Sequence, residues 1–393
     1  MIKMYTAFTE QIDDPEAAVR EILEQLKPEE NKLKNTIGIV HFYHEFVETD
    51  VCKAIAAALH FDTVGGVSSY VGTADRYGDI ALTVTMLTSD DVNFSIRVVE
   101  DVSAKPAEQV TDEVTRMCAE LCAKEQPKLV MPFLAMGRYF TGDNLVNIVN
   151  ALPEPFPLYG TVAFNMNMVE GTHFTMLNDK ASSDMHVFVA LYGNIEPKFH
   201  IVSAFFDEDF QSGFATITGA EESVLKSIDG ISTLQYLKEH RIISGTSTLV
   251  VLPAVLIYPN GTQVVRAFPG LVEGTEFFWA TGSIKEGGKI KFAHLDSNKT
   301  VVSAEHIMKE LTKLKENDVM MYSCVARVWS LGKKYFAEAQ EIVARADDYQ
   351  QTNNVPLNYS LAYSGGEICP IWDKDGKMIN ILHNYTLVAC TFS

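Results

Sequence analysis

Apolar and polar positions along the chain repeat one series of elements three times. In the first run Asp14 precedes Pro15, and Val19, Ile22, Leu23 and Leu26 recur at helical spacing until Pro28. Thr36 to Phe42 is apolar and partly β-branched, which predicts a strand. Val47, Val51, Ile55 and Leu59 predict a second helix, leading to Val64-Gly65-Gly66-Val67-Ser68. Two strand-like runs, Asp79 to Met86 and Phe94 to Val99, then flank Ser89-Asp90-Asp91 and predict a hairpin.

The order recurs: a helix carrying Val110, Val114, Met117 and Leu121, a strand from Lys128 to Leu134, a helix capped by Asp143, the pair Tyr159-Gly160, and another hairpin. Asp184 and Phe199 follow Asp79 and Phe94 by 105 positions each, a shared spacing that chance explains poorly. A third run holds a helix with Ile307, Leu311 and Leu314, a strand from Asp318 to Ser323, a helix near 336–346, the turn Tyr363-Ser364-Gly365-Gly366-Glu367, and two final arms at 379–382 and 386–392. Strand, helix, strand implies a right-handed crossover with parallel pairing, and a hairpin is antiparallel. The expected fold is therefore mixed α/β (α+β), with mixed parallel and antiparallel sheets built from three β-α-β-plus-hairpin pseudo-repeats. Residues 1–210 would hold two copies, and 211–393 a β-rich insert (211–300) plus the third copy.

Composition narrows the function classes. The 393 residues carry a formal charge of −19, which repels phosphate backbones and anionic lipid and argues against a nucleic-acid role. The longest apolar stretch, Leu249 to Tyr258, is too short to cross a bilayer as a helix, and Met1 to Thr6 has no leader pattern, so a cytoplasmic location without membrane insertion is expected. The 6 cysteines form no paired CxxC motifs and read as reduced thiols. His41 and His44 lack accompanying ligands at metal spacing, and no GxxxxGK[ST] or GxGxxG pattern is complete; neither metal nor cofactor is expected.

Ligands in such sheets bind beyond the carboxyl ends of the parallel strands, which selects the loops after residues 42, 134 and 323. Aligning the second and third copies puts Arg138 and Arg327 at equivalent strand exits. Their forked guanidinium groups suit a carboxylate, although structural salt bridges would use the same residues. The glycine turns, with Gly65, Gly66 and Ser68, Gly160, and Gly366, permit close backbone approach or serve packing alone. Cys324, Glu367 and His383 would make a thiolate nucleophile if they converged, although a cysteine at the end of an apolar strand is commonly inert packing.

Tyr363-Ser364-Gly365-Gly366-Glu367-Ile368-Cys369-Pro370, followed by Leu382-His383-Asn384-Tyr385-Thr386-Leu387, resembles the carboxyl-terminal signature of the FIST family. Tyr322-Ser323-Cys324-Val325-Ala326-Arg327 is similar to that family's Ser-Cys-x-x-Arg segment, and Ile228-Asp229-Gly230 to its Leu-Asp-Gly element. Val64-Gly65-Gly66-Val67-Ser68-Ser69 departs from the family's Gly-Cys-Ser-Thr-x-Gly-Glu. The resemblance implies a signal-input module that binds a small ligand such as an amino acid, with FIST N-like and FIST C-like halves and a separate output partner. On this reading Arg138 and Arg327 hold an anionic group, Gly366 and Glu367 contact the ligand, and Tyr363, Cys324, His383 and Asn384 line the wall. A thiol enzyme using Cys324 and an interaction scaffold without a small ligand are the alternatives.

Overall fold

Strand β1 (Lys3–Thr9) leads into α1 (Pro15–Leu26), where Asp14 accepts a hydrogen bond from the Ala17 amide at 2.9 Å and Pro15 sits in the first turn. Lys27, in the left-handed region at φ 45°, ends the helix, and α2 (Pro28–Asn31) follows. These elements belong to a computed structural model that describes residues 2–392 except 75, 138–139, 168, 170, 244–250, 316 and 374. The first copy continues with β2 (Asn35–Phe42), α3 (Glu45–Glu48), α4 (Val51–Leu59), β3 (Thr63–Val67), β4 (Val71–Thr73), β5 (Arg76–Gly78), β6 (Leu82–Ser89) and β7 (Val92–Glu100). The second holds α5 (Ala107–Leu121), β8 (Leu129–Leu134), α6 (Gly142–Asn150), β9 (Gly160–Val162), β10 (Thr175–Leu177), β11 (Lys180–Ser182), β12 (Met185–Gly193) and β13 (Pro197–Ser203).

The insert contributes β14 (Ala215–Glu221), β15 (Val224–Ile228), β16 (Ile231–Ser232), α7 (Thr233–Glu239), β17 (Leu252–Ile257), β18 (Gln263–Phe268), β19 (Gly270–Leu271), β20 (Phe278–Trp279) and β21 (Lys289–Phe292). Leu225 to Ile228 lies in a strand paired with β14 across the Glu222-Ser223 turn, and the Asp229-Gly230 turn leads from it to β16. The third copy comprises α8 (Ser297–Leu314), β22 (Asp318–Cys324), α9 (Val325–Leu331), α10 (Ala337–Asn353), β23 (Asn358–Ser364), β24 (Glu367–Trp372), β25 (Met378–His383) and β26 (Thr386–Phe392).

Each copy builds the same sheet. The orders are β1-β6-β2-β3-β10-β11, β7-β12-β8-β9-β24-β25 and β13-β26-β22-β23-β4-β5. In all three the first strand lies parallel to the second and antiparallel to the last: β2 with β3 and β6, β8 with β9 and β12, β22 with β23 and β26. After its second strand each copy leaves its own sheet and adds a short hairpin to another: β4–β5 to β23, β10–β11 to β3, β24–β25 to β9. Three such exchanges close a ring. The boundary expected near 210 falls between β13 and β14 in sequence, and strands from both sides of it share the second and third sheets.

The long hairpins read from the sequence do not form as such. β6 pairs with β1 and β2, whereas β7 crosses to β12; likewise β12 and β13, and β25 and β26, part into different sheets. A tight polar turn fixes only a reversal of direction, and the inner-face side chains decide which sheet each arm joins. The equivalence of the strands holds but the spacing does not: through their pairing to His41 and Phe133, Thr83 corresponds to Val187, one position short of the 105-residue offset.

The three central strands are apolar on both faces because both faces are buried. Ile37 and Ile39, Leu129, Met131 and Phe133, and Met320 and Tyr322 point to one shared interior. Val40 and Phe42 pack under α1 and α4, Val130 and Leu134 under α5 and α6, and Val319 and Met321 under α8 and α10. Corresponding residues of the three copies meet at the centre, where the His41 ring lies 5.9 Å from Phe133 and 5.4 Å from Tyr322. Among the described residues no helix is long and apolar enough to cross a membrane.

Candidate ligand site

The predicted residues of the carboxyl half gather at the end of β22. Cys324 pairs in register with Ser364, and Glu367 with His383. Arg327, on α9, is fully buried and its donors are occupied: Nε donates to Glu338 Oε2 at 2.7 Å, Nη2 to the Thr300 carbonyl at 3.0 Å and Ser303 Oγ at 2.8 Å, and Nη1 to the Tyr385 carbonyl at 3.3 Å. Its guanidinium thus ties α8, α9 and α10 to the turn before β26, the salt-bridge use of this residue. Arg138 lies outside the described residues.

Glu367 is equally enclosed. Its Oε1 accepts from Ser364 Oγ at 2.7 Å and its Oε2 from Thr386 Oγ1 at 2.9 Å. Burial pushes its carboxyl well above the usual range, against the smaller opposing pull of these hydroxyls and of Arg327. Burial also raises the Cys324 thiol, and nearby Glu367 adds to the rise, which is the opposite of the environment a thiolate needs. His383 turns Nε2 to the Cys369 carbonyl at 3.0 Å and is held neutral by burial, with its pKa lowered to about 4. Asn384 accepts from Thr281 Oγ1 at 2.7 Å, and Gly366 lies so near that a Cβ there would stand 3.2 Å from Asn384 Nδ2. In this structure the cysteine, histidine and glutamate share a neighbourhood without forming a relay.

In the amino half, Ser68 Oγ accepts from the Tyr363 amide at 2.8 Å and has the Tyr70 and Tyr363 carbonyls within reach of its one proton at 2.6 and 2.9 Å, stitching the first copy to the buried Tyr363 of the third. Gly65 and Gly160 permit close strand approach: a Cβ at Gly65 would fall 1.8 Å from the Val40 carbonyl oxygen, and one at Gly160 2.0 Å from that of Pro132. Gly66 pairs in the ladder with both His41 and Thr175.

An open cavity of about 480 Å³ lies next to this cluster, between α6, β25 and the insert. Its key residues are ones the sequence reading passed over. Arg266 sits in the apolar strand β18, fully buried, and its Nη2 reaches Asp143 Oδ1 at 3.2 Å, Asp143 Oδ2 at 3.3 Å and the Tyr258 hydroxyl at 3.1 Å. Its Nη1 donates to the Leu382 carbonyl at 2.8 Å, directly before His383. Asp143 was expected to cap α6. Thr141 and Asn144 form that cap instead, which leaves the Asp143 carboxylate to Arg266 and to the Ser283 amide, 2.5 Å from Oδ2. A Cβ at Gly282 would stand 2.6 Å from both Arg266 Nε and Asp143 Oδ2, so glycine lets the backbone close over the pair. Asn147, Asn150, Asn380, Lys285 and Glu286 stand in the polar wall. The signal available in the sequence was one arginine inside Val264-Val265-Arg266-Ala267-Phe268; its partner, 123 positions away, carried none.

The FIST N domain matches residues 36–231. The chain belongs to the FIST family, a family of sensory domains, which is consistent with a signal-input role. No curated protein matches the chain. Among solved structures, PurLQS from Thermotoga maritima aligns over 100% of this chain and 72% of that one at 9% identity and a TM-score of 0.21. Phosphoribosylformylglycinamidine synthase II from the same organism aligns over the same shares at 10% identity and a TM-score of 0.20. Likenesses this weak carry no argument about the fold or the site.

Proposed function

We propose that this chain is a cytoplasmic signal-input protein that binds a small polar ligand, an amino acid or small carboxylate, in the cavity above Asp143 and Arg266 and acts through a separate output protein. The observation that carries this is the Asp143–Arg266 pair itself. A buried ion pair is a weak source of stability, because desolvation offsets the Coulomb attraction. Here the pair forms the floor of an open cavity whose walls come from the second copy, the insert and the third copy. A ligand bound there touches three segments far apart in the chain at once, which is how occupancy would alter their packing. Arg266 and Lys285 would meet a carboxylate, and Asp143 with the asparagine carbonyls an ammonium. None of Cys324, Arg327, Tyr363, Gly366, Glu367, His383 and Asn384 lines this cavity; the Leu382 carbonyl, next to His383, links Arg266 to that enclosed set. The raised Cys324 thiol favours this reading over a thiol enzyme.

A thermal-shift screen of amino acids and small carboxylates tests it. A ligand at 100 times its Kd stabilises the fold by about 2.7 kcal/mol, a readable shift. The shift given by a ligand of this cavity should vanish in Asn147→Phe, which fills the cavity from an exposed position, and shrink in Lys285→Ala. A panel that leaves the melting temperature unmoved at millimolar concentration, or one in which no compound loses any of its shift in Asn147→Phe, would refute the site.

A further inference from the structure

The internal repeat places one kind of crevice three times, between the crossover helices of one copy and the short hairpin donated by another. The strand registers make the three comparable. Met176 pairs with Gly65 and Ala181, Ile368 with Gly160 and Leu382, and Gly72 with Leu361 and Tyr77. Ala181, Leu382 and Tyr77 therefore occupy the same position in their hairpins. In the third copy the crevice is filled: the Tyr77 ring stands 5.0 Å from Phe336, and Tyr70 packs 5.4 Å from Phe336 and 6.0 Å from Tyr335. In the second copy Leu382 takes that place, packed in the core against α6, and the cavity over Asp143 and Arg266 opens beside it, roofed by the insert. In the first copy Ala181 leaves the place of the tyrosine empty, and a cavity of about 410 Å³ opens between α4 and the β10–β11 hairpin.

We propose that this first crevice is a second ligand site, for a small zwitterion with a short apolar body. Its floor is apolar, from buried Cys52 and Met176 together with Val47 and Ala181. Its rim carries both charges: Asp50, Asp179, Lys53 and Lys180. Lys180 is held by Glu100, so Lys53 is the cation placed to meet a carboxylate, while Asp50 and Asp179 face an ammonium. A plain anion would be disfavoured by a chain of net charge −19, and a plain cation would lie against Lys53 without a partner for it. A molecule with both groups satisfies the rim, and its side chain reaches the floor. The inference rests on the preceding proposal only in taking this kind of crevice to be a ligand site; the residues are its own.

Calorimetric titration of the full chain with L-leucine tests it, with 4-methylpentanoate and isopentylamine as the analogues lacking one charge. L-leucine should bind at least tenfold more tightly than either. Ala181→Tyr, which installs the side chain that fills the third crevice, should weaken binding at least tenfold. Lys53→Met, at an exposed position where folding is not at stake, should weaken it at least fivefold. Asn147→Phe, in the neighbouring crevice, should remove only heat arising in that cavity and leave the component lost in Ala181→Tyr and Lys53→Met. Binding that survives Ala181→Tyr and Lys53→Met overturns the proposal, as does no heat with L-leucine at millimolar concentration. Binding abolished by Asn147→Phe alone would assign the ligand to the Asp143–Arg266 cavity, overturning the second site while upholding the first.

Discussion

Among the described residues Arg266 and Arg327 are the two largest side chains that are fully buried, and each is matched by a carboxylate, Asp143 and Glu338. What separates them is access: Arg327 is sealed among α8, α9 and α10, whereas Arg266 borders a cavity. Leaving Arg327 without its partner in Glu338→Gln should cost about 3–5 kcal/mol in urea denaturation, the usual cost of an uncompensated buried charge; a loss below 1 kcal/mol would mean that the pair is solvated. Glu367 behaves differently with pH. Its folded pKa is raised by burial above the ordinary value of 4.5, so its contribution to stability is complete below that value and is lost as pH rises through the folded pKa. Glu367→Gln should therefore flatten the decline of the wild-type melting temperature on the alkaline side, and parallel profiles for the two proteins would show that the carboxyl ionises without cost. That Arg327 binds in the interior was one of two readings open in the sequence. Its partner could not be read, because Glu338 reaches it only when α10 folds back over α9.

At the level of elements, the strongest periodicities translated directly. α1, β2, β8 and β22 lie where spacing and capping put them, since each is long and apolar enough for local pattern to dominate. The short hairpins β4–β5 and β10–β11 escaped notice: three-residue strands carry almost no alternation, and they exist because β23 and β3 offer free edges. The glycines ahead of these exchanges were visible, and their reason is steric. Gly160→Ala would place Cβ 2.0 Å from the Pro132 carbonyl oxygen, and the parallel β8–β9 pair would have to separate. A loss of about 3 kcal/mol is expected by chemical denaturation. The same change at Gly282 would press on Arg266 and Asp143, at the floor of the cavity proposed to take the ligand.

Across the whole molecule, three sheets share one interior, and each is completed by strands from elsewhere in the chain. β7 flanks β12 and β13 flanks β26; β1 takes the corresponding place beside β6 through seven register pairs from Lys3–Thr88 to Thr9–Leu82. Deleting residues 2–9 should bare the outer edge of β6, lower the melting temperature and drive edge-to-edge association, visible by light scattering after gel filtration. A truncated chain that stays monomeric with an unchanged melting temperature would show that β1 is ornamental to the ring. By itself the sequence determined the threefold repeat, the mixed α/β class, the strands that fill the centre and the glycines that let strands approach, because each follows from period, propensity or steric size within a few residues. Only the tertiary structure decided that the long hairpins open, that Asp143 leaves its helix cap for Arg266 and that Tyr77 fills one crevice while Ala181 leaves another empty. Those outcomes depend on pairing between residues far apart in the chain, where the gain from burying a shared face outweighs the local preference of a turn.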